Sequence, residues 1–202
     1  MAQLILLRHV QFQWNLENKF TGWVDVDLSE KGIAEAQNAG SHLKAYRIDH
    51  LFTSVLMRAE KTAAIALEVA GQNDVPKTRH QDLNERHYGA LQGLDKDETR
   101  EKYGKEQVHI WRRSFKVNPP EGESLSDTCD RVLPYYREKI MPLLTGNATI
   151  LVAAHGNSLR ALIKDLEQLS EEDITQVEVP TGVPLVYTLD DSGSVTGKQV
   201  LQ

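Results

Sequence analysis

Ala148-Thr149-Ile150-Leu151-Val152-Ala153-Ala154-His155-Gly156-Asn157-Ser158-Leu159-Arg160 passes from a buried-strand pattern, apolar but for Thr149, through a polar triplet, into a helix predicted from Ser158 to about Leu166. A run without alternation is the pattern of a strand covered on both faces, and a strand feeding directly into a helix is the repeating unit of an α/β fold. Leu4 to Leu7 repeats the apolar run and ends in Arg8 and His9. Leu51 to Thr53 supplies another, ahead of an alanine-rich helix expected to begin at Ser54 and to stop at Gly71. Before it, Ser29 is positioned to cap a helix reaching about Tyr46, with Ile33, Ala36, Ala39 and Leu43 spaced to face a core. Asp95 with Glu98, and Ser124 with Asp127, read as capping boxes. The first opens a helix ending near Gly104, and the second a helix interrupted by Pro134 and Pro142. These middle helices read as an added cap. Leu185 to Leu189 and Val195 to Leu201, separated by Asp190-Asp191-Ser192-Gly193, read as a terminal hairpin. No repeat, low-complexity stretch or linker divides the chain. Residues 1–202 are therefore expected to form a single three-layer α/β domain, with a mostly parallel sheet, helices on both faces and a small helical cap.

A net charge of −6 argues against nucleic-acid or membrane-surface binding, which call for a basic face, so any positive potential must be local. Cys129 is the one cysteine; it allows no intramolecular disulfide, reads as a packing residue and fits a reducing compartment. The apolar run at Leu4 is cut off by Arg8 and His9, and no later run approaches the length of a membrane span. A soluble, cytoplasmic protein is expected.

Arg8 and His9 stand at the carboxyl end of the first strand, where open α/β sheets hold ligands in the crevice above the strand tips. His155, Gly156 and Asn157 occupy the equivalent place after another strand and open a helix whose free N–H groups favour an anion. One histidine there would as readily be structural; two at matching tips, one preceded by arginine, point to catalysis. Arg58, in the first turn after the strand ending at Thr53, adds a third strand-tip residue of fitting charge. A neutral imidazole can attack phosphorus through one ring nitrogen while the other donates its proton to a fixed acceptor, and arginines neutralise the transferring oxygens. Phosphoryl transfer needs little more than this positioning and charge. No metal is expected, because the seven histidines (His9, His42, His50, His80, His87, His109, His155) form no His-x-His, His-x-x-x-His or His/Cys pairing. The P-loop and Rossmann fingerprints are absent, so a nucleotide is not the expected substrate.

Arg8-His9-Val10-Gln11-Phe12-Gln13-Trp14-Asn15 resembles the Arg-His-Gly signature of the histidine-phosphatase superfamily. Further residues carry a closer resemblance to its 2,3-bisphosphoglycerate-dependent phosphoglycerate mutase branch: Phe20-Thr21-Gly22-Trp23, Asp25-Val26-Asp27-Leu28-Ser29, Thr53-Ser54-Val55-Leu56 with Arg58-Ala59, and Leu83-Asn84-Glu85-Arg86-His87-Tyr88-Gly89. The match continues through Trp111-Arg112-Arg113, Ala154-His155-Gly156-Asn157 and Pro180-Thr181-Gly182-Val183-Pro184, and so covers nearly the whole chain. The resemblance implies that His9 is the phosphorylated nucleophile, that His155 steadies the transferring group, and that Arg8 and Arg58 clamp its charge. It implies that Glu85 is the general acid and base. It further implies that Phe12, Asn15, Thr21, Gly22, Tyr88, Lys96, Arg112, Arg113, Gly156 and Asn157 stand at phosphate- and carboxylate-binding positions. The implied reaction interconverts 3-phosphoglycerate and 2-phosphoglycerate, primed by 2,3-bisphosphoglycerate and without a metal. The implied partners are small-molecule phosphoglycerates; a homo-oligomer would leave no sequence signature.

Two residues depart from the family pattern, which has glycine after the catalytic histidine and a small hydroxyl residue two positions later. Val10 would tolerate positive φ poorly and obstruct a close ligand, and Phe12 exchanges a hydroxyl for a bulky ring. A lost hydrogen bond to a charged group costs about 1.5 to 3 kcal/mol. These changes keep open an impaired protein that only binds anions, beside a small-metabolite phosphatase of the same superfamily. The segment from Asn118 to Ser124 is short, and the last strand is followed by little chain, whereas longer members carry an insertion and a tail that could exclude water.

Overall fold

Six strands form one sheet in the computed structural model, which describes residues 1–202. They are β1 (Ala2–Arg8), β2 (His50–Thr53), β3 (Lys77–Arg79), β4 (Thr149–Ala154), β5 (Leu185–Leu189) and β6 (Val195–Val200), in the order β3-β2-β4-β1-β5-β6. The β3, β2, β4 and β1 strands are parallel neighbours, and the β5–β6 hairpin adds two antiparallel strands beside β1. Both faces of the centre are covered, which explains the missing alternation. Leu4 and Leu6 join Ile150 and Val152 in one core, whereas Ile5 and Leu7 join Leu151 and Ala153 in the other. The parallel register sets Arg8 against Ala154, and so brings the two strand tips level.

Helices α2 (Glu30–Leu43) and α3 (Met57–Val69) cover one face, after the short α1 (Gln13–Leu16). Ser29 caps α2 as expected, its hydroxyl accepting from Gly32 N. Ile33 does not face the core: it is 42% exposed, and the buried stripe is Gly32, Ala36, Ala39, Gly40 and Leu43. The 3.6-residue period is kept, but glycine takes a position the hydrophobic reading assigned to isoleucine. Gly40 is needed there, because a Cβ would lie 2.4 Å from the Ala66 carbonyl oxygen of α3. The α3 helix starts at Met57, three residues later than Ser54, whose hydroxyl is engaged elsewhere.

On the other face, α6 (Leu125–Tyr135) packs on α7 (Gly156–Leu166), with α8 (Glu171–Gln176) beyond. Ser124 and Asp127 form the reciprocal capping box of α6. Pro134 does not interrupt α6; it lies in the last turn, and the chain continues through a π turn (Tyr136–Ile140) and a 3₁₀ turn (Met141–Leu143). Leu125, Cys129, Val132 and Tyr136 belong to the sheet core, so α6 is part of the main layers. The cap is smaller than the sequence suggested: α4 (Lys96–Tyr103) and α5 (Lys105–Arg113), over a separate cluster of Phe20, Leu91 and Val108. Asp95 caps α4 through the N–H groups of Asp97 and Glu98, without the reciprocal bond from Glu98. The β3 strand was not foreseen: Lys77-Thr78-Arg79 pairs through its backbone at an edge and carries no apolar pattern.

Candidate active site

The level strand tips put His9 and His155 side by side, with ring centroids 5.0 Å apart, and both imidazoles are buried. His9 Nδ1 lies 2.9 Å from the Val10 carbonyl oxygen. A carbonyl only accepts, so Nδ1 carries the proton and Nε2 keeps a free lone pair. His155 is held through the opposite nitrogen: Nε2 is 2.7 Å from the Ser54 hydroxyl, whose oxygen accepts from Leu56 N and whose proton is free to be donated to Nε2, which leaves the ring proton on Nδ1. Burial first, then the Arg58 and Arg8 charges, holds the His9 imidazolium well below the usual histidine range. His155 is depressed in the same way by burial, Arg58, His9 and Arg8. Both rings are therefore neutral at pH 7.

Arg58 is 1% exposed, and burial pulls its pKa down to about 10, which leaves it cationic. Its Nη2 donates to Gly22 O at 2.7 Å and its Nη1 to Val24 O at 3.0 Å. These bonds tie the loop after Thr21 to α3. Gly22 has φ +61°, and a Cβ there would meet Gln92 Oε1 at 2.3 Å, so both conformation and space call for glycine. Arg8 Nη1 donates to Val179 O at 2.7 Å. Arg8 Nε, Arg58 Nε and His155 Nδ1 are buried with no partner in the protein. An unsatisfied buried donor costs about 1 to 3 kcal/mol, so the cluster, beside the N-terminus of α7, fits an oxyanion ligand.

Glu85 closes the deep end. Its Oε1 accepts from Arg86 N at 2.8 Å and from Asn157 N at 3.0 Å. Its carbonyl accepts from Trp23 Nε1 at 2.5 Å and from Arg131 Nη2 at 2.9 Å, and Arg131 is paired in turn with Glu123. One donor atom each from His9, Glu85 and His155 lie within 4.8 Å of one another, a spacing from which a metal could be reached. The neighbouring Arg8 and Arg58 charges oppose a cation and favour an anion.

These groups open into a cavity of about 150 Å³ lined by Arg8, His9, Phe12, Asn15, Thr21, Gly22, Arg58, Glu85, Tyr88, Lys96, Arg112, Arg113, Gly156 and Asn157. All the substrate-binding positions named from the sequence are thus brought together, with His155 beside His9 though not itself in the lining. Lys19, Phe20, Arg160 and Glu178 also line the cavity and were missed. Arg160 had a signal, since it shares the α7 face of Gly156 at a spacing of four. Lys19 and Phe20 adjoin the expected Thr21-Gly22 pair, whereas Glu178 has no local signal.

Val10 does not have the conformation feared from the sequence. Asn18, Glu121 and Gln168 are the only non-glycine residues with positive φ. Val10 is buried outside the cavity lining, and its N–H donates to Thr62 Oγ1 at 3.2 Å. A Cβ built at Gly32 or Gly182 would lie 3.2 or 3.1 Å from its two methyl groups, so the valine fills space beside two glycines. Phe12 does line the cavity, with its ring 5.2 Å from that of His9 and the Arg58 guanidinium 5.0 Å over its face.

A family model described as the histidine phosphatase superfamily (branch 1) matches residues 4–197. The chain is 56% identical over 200 residues to a 2,3-bisphosphoglycerate-dependent phosphoglycerate mutase of Methylobacterium sp. (strain 4-46), covering 98% of this chain and 96% of the relative. It is 52% identical over 200 residues to a phosphoglycerate mutase of Schizosaccharomyces pombe, covering 98% and 95%. Among solved structures, Bacillus stearothermophilus YhfR superposes with a TM-score of 0.85 at 26% identity, covering 96% of this chain and 94% of that one. No helix is long and apolar enough to cross a membrane.

Proposed function

The chain belongs to the histidine phosphatase superfamily, and from that premise we propose that it is a 2,3-bisphosphoglycerate-dependent phosphoglycerate mutase that interconverts 3-phosphoglycerate and 2-phosphoglycerate through a phosphorylated His9. The observation that carries the reading is the tautomer of His9, fixed by the Val10 carbonyl, beside three buried nitrogens without protein partners. Those nitrogens and the cationic lining fit a ligand bearing several anionic groups. Arg8, Arg58 and the α7 N-terminus would hold the transferring phosphoryl group; Lys96, Arg112 and Arg113 would hold the groups further out. Bound there, 2,3-bisphosphoglycerate supplies the phosphoryl group that primes His9.

His9 Nε2 carries the phosphoryl group between half-reactions. When it passes to the free hydroxyl of a phosphoglycerate, the P–N bond breaks, a P–O bond forms, and Glu85 takes the hydroxyl proton. The second half-reaction returns a phosphoryl group to Nε2, and Glu85 gives its proton to the departing oxygen. His155, neutral and pinned by Ser54, offers Nδ1 to the transferring oxygens. Proton transfer of this kind is worth roughly a hundred- to ten-thousandfold in rate. The ordinary backbone of Val10 removes one ground for an inactive protein. The cytoplasm, where small phosphoglycerates are met, is the proposed location.

Incubation with 2,3-bisphosphoglycerate should leave an acid-labile phosphoryl adduct on His9, found by intact mass and peptide mapping, with turnover of 3-phosphoglycerate. His9→Ala should lose the adduct and roughly four to six orders of magnitude in rate. Adduct with hydrolysis alone would indicate the phosphatase. Neither adduct nor turnover in the folded wild type would leave an anion-binding protein.

A further inference from the structure

Glu178 is an anomaly in the cavity: apart from Glu85, every other charged side chain lining it is a cation. It follows α8, and its carboxylate stands between two arginines, with Oε1 2.8 Å from Arg113 Nη1 and Oε2 3.8 Å from Arg160 Nη2. Arg160 is immobilised from behind, donating from Nε to Val177 O at 2.8 Å and from Nη1 to Asn157 Oδ1 at 3.2 Å. Its side chain is 12% exposed, whereas that of Glu178 is 67% exposed and held by these two arginines alone. The cation is therefore fixed and the carboxylate is free to swing. So exposed a pair contributes little to folding. Its place, on the donors that a ligand's outer anionic group would use, is what needs a reason.

We propose that Glu178 is a competing carboxylate: in the free protein it covers the anion-binding donors of Arg113 and Arg160, and a ligand's outer anionic group displaces it. The inference deepens the mutase reading and rests on it. A ligand that must change which phosphoryl group faces His9 has to release its outer contacts within the cavity. A tethered carboxylate that takes the arginines as the ligand's anion lets go lowers the cost of that release. The same charge opposes tight binding, most strongly for a ligand with two phosphoryl groups and a carboxylate.

Glu178→Gln keeps the size and removes the charge. In isothermal titration with 2,3-bisphosphoglycerate, this variant should bind about three- to tenfold more tightly than the wild type, with a smaller gain for 3-phosphoglycerate. The KM should fall while kcat stays level or drops as release slows, and the gain should shrink at high salt. Arg113→Gln in the same background should cancel the gain. The melting temperature should hardly change. Equal or weaker binding by the folded Glu178→Gln protein would overturn the proposal and leave Glu178 as a brace for the arginines. Absence of mutase turnover in the wild type would instead count against the assigned reaction, and the titration would still decide the role of Glu178.

Discussion

The deep end of the cavity and its mouth are built by different means. At the deep end, His9, Arg8 and Arg58 are tied to backbone carbonyls, and His155 to the buried hydroxyl of Ser54. Each group comes from a strand tip or the first turn after one, and none has freedom to move. At the mouth, Lys96 and Arg112 come from the cap, and Arg113 meets Glu178 side chain to side chain; Arg160, which also faces Glu178, is the one cation there held in addition by a backbone carbonyl, that of Val177. Backbone acceptors fix atoms to within a fraction of an ångström, which a reacting centre needs; solvated ion pairs are weak and salt-sensitive, which a ligand entering and leaving needs. The contrast predicts that deep substitutions act on the chemical step and mouth substitutions on binding.

The largest test falls on Glu85. Glu85→Gln should lower kcat by roughly a hundred- to ten-thousandfold while leaving KM close to its wild-type value. Phosphorylation of His9 by the priming ligand should still be detectable by mass. A variant in which KM moved as far as kcat would break the division between the two regions. Arg112→Ala should do the reverse, raising KM about ten- to a hundredfold, as for a lost hydrogen bond to a charged group, with kcat within about threefold. A parallel fall in kcat would show that the mouth takes part in the transition state.

A smaller effect sharpens the deep end by itself. His9 and His155 have folded-state pKa values depressed below the ordinary value of 6.5. Below that pH the unfolded chain binds protons that the native chain refuses. Their contribution to stability is thus full above about pH 6.5 and is lost as the pH falls through the lower folded values. Chemical denaturation should show the ligand-free protein losing stability below about pH 6.5. The ring resonances of both histidines should keep their neutral positions through that pH. Titration of either ring near 6.5 would mean that the deep end is wetter than its burial indicates.

Much of the deep end was legible because it is local. An apolar run followed by Arg-His or His-Gly-Asn names both the strand and what stands at its tip. The Arg112-Arg113 pair and the Thr21-Gly22 turn were legible only through the family resemblance, since a helical arginine pair and a loop glycine look the same in many other settings. The shift in the start of α3 was hidden because Ser54, a good helix cap in sequence, is claimed by His155 from 101 residues away. Ile33 and Pro134 misled for a related reason: helix geometry tolerates a glycine in the buried stripe and a proline in a last turn. The ordinary backbone conformation of Val10 was not legible because the glycines beside it, Gly32 and Gly182, are brought there only by the fold.

Alternation, capping and strand-to-helix order depend on neighbours a few residues away, so the amino-acid sequence by itself determined the α/β architecture, the central strands and the two histidines at their tips. Proton positions and charge pairings depend on groups that meet only when the chain is packed. The tertiary structure alone decided that His9 keeps Nε2 free while His155 is held through Nε2, and that Arg8 and Arg58 each retain a buried Nε without a partner. It alone set Glu178 against Arg113 and Arg160 at the mouth.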